Sequence, residues 1–97
     1  MIQNRQNDTL KESGLISSDS YTDFLSTFDL GCSAALVSSG FELVSLDKSN
    51  PKKVQFLFRR KAGIEKIMDD YWADKLEIKA RSFFDNTKML KCRIYSE

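Results

Sequence analysis

Between Val54 and Arg59 the chain alternates: Val54, Phe56 and Phe58 fall on one side of an extended backbone, Gln55, Leu57 and Arg59 on the other. No other segment sets three large apolar residues on one face at a period of two. The stretch is therefore expected to be the strand that organises the fold. Asp47 to Lys53 before it is polar and contains Asn50-Pro51, which marks a turn, because proline donates no ladder hydrogen bond. A hairpin follows, with Phe41–Leu46 as its other arm and Phe24–Thr27 as the strand on the far side of Val54–Arg59.

Helical signals fill the gaps. Thr27 and Asp29 suit a helix start, through a hydroxyl that accepts from an orphan amide and a carboxylate at the positive end of the dipole. A helix over Asp29–Ser39 is expected, with Gly40 as its left-handed cap. Its small residues Gly31, Ser33, Ala34 and Ala35 imply close packing onto the sheet. Gly31 lacks the second glycine and the lysine that a phosphate cradle needs. Further on, Ile64, Ile67, Met68, Tyr71 and Trp72 recur at helical spacing as one apolar stripe. Both aromatic residues lie on it, which makes core packing the default against base stacking. Glu65, Lys66, Asp69, Asp70 and Asp74 take the opposite side, and the three aspartates read as a hydrated face rather than a cation site.

Lys75–Ile78 is a short link, with one or two strand pairs as an option, and the last helix spans Lys79 to Tyr95. On a wheel, Leu90, Phe83, Ile94, Thr87, Ala80, Phe84 and Tyr95 form one arc, and Lys91 falls inside it. Lys88 and Arg81 border that arc. Three explanations of Lys91 stand open: its stem snorkels to water, its ammonium pairs with a buried acid, or the arc is partly uncovered for a ligand. The fold class expected is α+β, β-α-β-β-α-α, a three-stranded antiparallel sheet with helices on one face.

The 97 residues suffice for one such domain. Met1 to about Ser20 is polar and aperiodic, and reads as a flexible arm over residues 1–20, leaving a domain over 21–97. All seven phenylalanines, three tyrosines and the tryptophan lie between Tyr21 and Tyr95. Histidine is absent, which removes the commonest general base and metal ligand, so neither catalysis nor a cofactor or metal is expected. Cys32 and Cys92 are expected as free, buried thiols of a reducing cytoplasm. There is no apolar run fit to span a membrane.

A net charge of +1 conceals a division. Residues 24–47 hold three acids and no base, whereas residues 48–93 hold thirteen Lys or Arg against six Asp or Glu.

The region from Thr27 to Tyr95 resembles a family of small uncharacterised domains of bacteria, archaea and their phages, a domain of unknown function. The resemblance rests on the order and spacing of Thr27-Phe28-Asp29-Leu30, Gly40-Phe41-Glu42-Leu43, Val54-Gln55-Phe56-Leu57-Phe58, Tyr71-Trp72, Phe83-Phe84, Leu90-Lys91 and Arg93-Ile94-Tyr95. It implies a compact α+β domain and a setting among phage or mobile-element genes. It also implies that Leu90-Lys91 with Arg93 and Tyr95 belongs to the family pattern. It implies no activity.

Two functions are expected to compete. One is a small nucleic-acid-binding accessory protein contacting phosphates through Lys52, Lys53, Arg59, Arg60, Lys61, Arg81, Lys88, Lys91 and Arg93, with Phe84 and Tyr95 as stacking platforms. The other is a protein-interaction module: a homodimer, or a subunit that binds a host, phage or acidic partner. The first requires the positives of residues 48–61 to converge with those of the last helix.

Overall fold

A computed structural model of the chain describes residues 23–96. The elements follow in the expected order: β1 (Phe24–Thr27), α1 (Leu30–Ser38), β2 (Leu43–Asp47), β3 (Gln55–Arg59), α2 (Ile64–Trp72) and α3 (Ala80–Tyr95). The arm expected over residues 1–20 lies outside the described residues, as do both ends of the 21–97 domain.

β3 is the middle strand, antiparallel to both neighbours in the order β1-β3-β2. Its Phe56 and Phe58 are buried and meet Thr27 and Leu25 on one side, Leu46 and Leu43 on the other. Leu43 and Leu46 are three apart, so strict alternation would turn them to opposite faces. A bulge between Leu43 and Ser45 makes Val44 an extra residue and returns Leu46 to the core side. The far side of the sheet carries Phe24, Ser26, Gln55, Leu57 and Arg59. There Gln55 Nε2 donates to Ser26 Oγ at 2.9 Å, and the Arg59 guanidinium lies 5.4 Å from the Phe24 ring centre.

α1 is the innermost element. Cys32, Ser33, Ala34, Ala35 and Leu36 have no exposed surface, so the helix is enclosed all round. One core cluster joins Leu25, Phe56 and Phe58 of the sheet to Leu36, Ile64 and Leu90, one from each helix, so the helices share one face. Asp29 caps α1 from outside it: its Oδ2 accepts from Cys32 N at 2.7 Å, and its own amide donates to Thr27 Oγ1 at 3.1 Å. At the other end Gly40 (φ +96) donates to Val37 O and Phe41 to Leu36 O, both at 3.0 Å. This pattern is a Schellman cap, and it feeds Phe41 back onto the core.

α2 runs back along α1 until Tyr71 reaches Gly31. The link that follows pairs with no strand among the described residues; Leu76 and Ile78 are half-buried in it. α3 starts beside the end of α1, where Asn86 Nδ2 donates to Ser38 Oγ at 2.9 Å. It ends beside β2, where Lys48 Nζ donates to Ser96 O at 2.7 Å.

The small residues of α1 thus serve helix–helix as well as helix–sheet contact. A Cβ at Gly31 would overlap Tyr71 Oη and lie 3.2 Å from Tyr71 Cζ. Gly31→Ala should cost about 1–3 kcal/mol in urea unfolding, and Tyr71→Phe in the same chain should recover part of that loss.

Candidate functional site

α3 has two unlike sides. Leu90 is fully buried, and Phe83, Asn86, Thr87 and Ile94 are half-buried around it. Ala80, Phe84, Lys88, Lys91 and Tyr95 are all exposed. The arc expected to face the core is therefore covered along one edge and open along the other. Phe84, Lys88, Lys91 and Tyr95 are spaced four, three and four apart, so they fall within about 60° of one another around the helix. From Phe84 to Tyr95 the stripe is about 16 Å long at ~1.5 Å per residue. Phe84 is 60 % exposed and Tyr95 84 %, values that hydrophobic burial would not leave on an arc facing the core. Lys88 Nζ lies 5.4 Å from the centre of the Phe84 ring, a cation–π contact on open surface.

Lys91 sits between these aromatics. Among the described residues the ion pairs are Arg59–Glu42, Arg60–Glu65, Lys66–Asp70 and Arg81–Asp85, none of which involves Lys91. Lys91 is exposed and outside these pairs, so its ammonium is not held by a buried acid.

The single cationic patch does not form. Arg59 points to the face of the sheet away from the helices, where its Nε meets Glu42 Oε1 at 3.2 Å. Arg60 bonds Glu65 and approaches the Phe24 carbonyl at 3.5 Å. With exposed Lys61 they occupy the end of β3 that pairs with Phe24. Lys52 and Lys53 lie in the β2–β3 turn, past the other end of that strand, about 13 Å away or more at ~3.3 Å per residue. Lys53 is held 5.0 Å over the Phe28 ring. Arg81 is drawn to Asp85 at 3.7 Å. The nine expected cations therefore divide into three groups, and α3 keeps Lys88, Lys91 and Arg93.

One cation from the turn does join α3. Lys48, held by Ser96 O, shares with Arg93 a cleft lined also by Val44, Ser45, Leu46 and Ser96. In the sequence Lys48 was one of six positives in a run, with nothing to set it apart.

Other expectations change as well. Tyr71 is half-buried, but Trp72 is 61 % exposed, edge-on to Tyr71 with ring centres 5.1 Å apart. Tyr71 packs on Gly31 in the first turn of α1, while most of the Trp72 ring stays in water. Both cysteines are free, but only Cys32 is buried; Cys92 is exposed on the outer side of α3. Asp70 is paired with Lys66 at 2.9 Å, and among the described residues no three His, Cys, Asp or Glu are placed to hold a metal ion. No helix among them is long and apolar enough to cross a membrane.

A three-stranded sheet backed by three helices, with a basic and aromatic helix face left open, defines a small α+β domain. The chain belongs to the family described as Domain of unknown function (DUF5659), whose model matches residues 22–96. Compared with curated proteins and with solved structures, it matches none.

The Cys32 thiol is pushed up to about 11 by burial, with the Asp29 charge acting in the same direction and the Trp72 indole hydrogen bond opposing. Burial also raises Tyr71. A raised folded-state value favours the protonated form. Its contribution is complete below the ordinary thiol value of 9.0 and is lost as pH climbs towards about 11. Urea unfolding should show about 2–3 kcal/mol less stability at the top of that window than at its foot. Cys32→Ala should flatten this dependence while lowering stability throughout.

Proposed function

We propose that the domain is a small, non-enzymatic, cytoplasmic accessory protein of phage or mobile-element origin that binds nucleic acid through the outer face of α3. Lys88 and Lys91 would contact phosphates, and Phe84 and Tyr95 would stack on bases; Arg93 lies on the opposite flank of the helix, in the cleft with Lys48, and takes no part. The observation that carries this reading is the open stripe itself. Two large aromatic side chains flank two lysines along one exposed helix face, and neither lysine has an ion pair among the described residues. Leaving such rings in water forgoes burial, and a ligand with anionic links and flat apolar faces complements both residue types. Arg59 and Arg60 take no part, because Glu42 and Glu65 already occupy them.

A second reading, a protein-interaction module, is favoured by the exposed Trp72 and Phe28, which lie off the stripe. A homodimer would bury those two rings and an acidic partner protein would cover the basic stripe, in either case without oligonucleotide affinity, and light scattering separates that outcome.

Fluorescence anisotropy with a labelled single-stranded oligonucleotide tests the first reading. Lys88→Glu with Lys91→Glu should weaken binding at least tenfold, and Arg59→Gln with Arg60→Gln should leave it within twofold. With about two phosphates neutralised, raising salt from about 50 to 200 mM should weaken binding roughly sevenfold. No binding at the lower salt would end this reading.

A further inference from the structure

Asp74 breaks two local rules at once. It is the residue after the C-cap of α2 and sits in the left-handed region at φ +61, the one non-glycine of the described residues with a positive φ. Its amide donates to Tyr71 O at 3.1 Å and the Lys75 amide to Asp70 O at 2.8 Å, which completes a Schellman cap of the kind that Gly40 closes on α1. Glycine takes this conformation without a Cβ penalty, and asparagine and, less often, aspartate are its substitutes. A carboxylate here also stands at the negative end of the α2 dipole, where a cation would be favoured. Among the described residues no ion pair offsets it. A side chain that opposes both backbone and dipole is a candidate for a role outside stability.

The cavity it lines suggests that role. Tyr71, Asp74, Leu76, Ile78, Ala80 and Phe83 surround a space of about 230 Å³ between the end of α2, the link and the start of α3. This is below the ~300–1,000 Å³ of sites for drug-sized ligands and suits one long side chain. Its walls are polar and apolar in nearly equal measure, no basic residue lines it, and Asp74 is its one acidic residue. Exposed Trp72, stacked edge-on against Tyr71, stands at the same helix end and offers a ring to a passing cation.

We propose that this cavity receives a lysine or arginine side chain of a partner protein, its methylene stem against Leu76, Ile78 and Phe83 and its charged head at the Asp74 carboxylate. The site is separate from the α3 stripe, which is basic and attracts the opposite charge. The domain then has two complementary surfaces, one for an anionic ligand and one for a basic residue of a second protein.

Amide NMR titrations of the full chain with N-acetyl-arginine methylamide and N-acetyl-lysine methylamide test this, with N-acetyl-norleucine methylamide as the uncharged match. Saturating shifts are expected over Tyr71–Phe83 for the two basic compounds, with the norleucine compound at least tenfold weaker. Asp74→Asn keeps a residue that accepts the left-handed backbone, so the fold should persist while the basic compounds bind at least tenfold more weakly. Asp74→Gly should raise the melting temperature and abolish the shifts. The proposal is overturned if the norleucine compound binds within twofold of the basic ones, if Asp74→Asn binds as the parent does, or if the parent shows no saturating shift. A lower melting temperature for Asp74→Gly would also overturn it, by removing the reason to give the carboxylate a role.

Discussion

Everything in this fold is arranged around keeping water from one short helix. From Cys32 to Leu36 every side of α1 is covered, with the sheet, α2 and α3 packed into the same core cluster. A helix of nine residues has little stability of its own in water and depends on the layer that closes over it. Its neighbours can approach only because its residues are small. Alanine stands at the most enclosed positions, Gly31 lies where Tyr71 crosses, and the Ser33 hydroxyl is satisfied by the Asp29 carbonyl at 2.8 Å. The buried serine and thiol therefore introduce little unpaired polarity, and side chains from all other elements point inward to a single cluster.

That enclosure decides what is left outside. α3 presents only a narrow strip to α1, centred on Leu90, so a helix with a broad apolar arc has more arc than the core can use. The surplus, Phe84 and Tyr95 with the lysines between them, becomes surface. α2, on the other side of α1, turns Glu65, Asp69 and the Lys66–Asp70 pair outward. Within the basic half of the chain the charges thus divide in space: a basic face on α3 and, on α2, acids partly offset by Arg60 and Lys66. The strand-end arginines fall outside this polarity because their carboxylates come from β2 and α2.

The parts of this legible in the sequence are those set by neighbours along the chain. Period two at Phe56 and Phe58, the capping pair Thr27 and Asp29, the glycine at Gly40 and the stripe from Ile64 to Tyr71 each express a local rule, and the elements formed where these rules place them. The bulge at Val44 was not legible, because nothing in Leu43-Val44-Ser45 demands it; it arises from fitting Leu43 and Leu46 to the same two phenylalanines. The partner of Arg59 was hidden for a similar reason, since Glu42 reaches it only after β2 and β3 pair. Lys91 was visible as an anomaly, but its explanation depends on how wide a strip of α3 the core covers. Trp72 was misjudged because a wheel shows the direction of a residue and not how much of its ring the neighbouring helix covers.

The central claim is that the working surface is the outer stripe of α3 and that the cations of the β3 end are structural. Lysine acetylation followed by mass spectrometry, with and without a saturating single-stranded oligonucleotide, tests it most directly. The account predicts that Lys88 and Lys91 lose reactivity on binding while Lys61 and Lys66 keep theirs. Protection of Lys61 with unchanged Lys88 and Lys91 would contradict it.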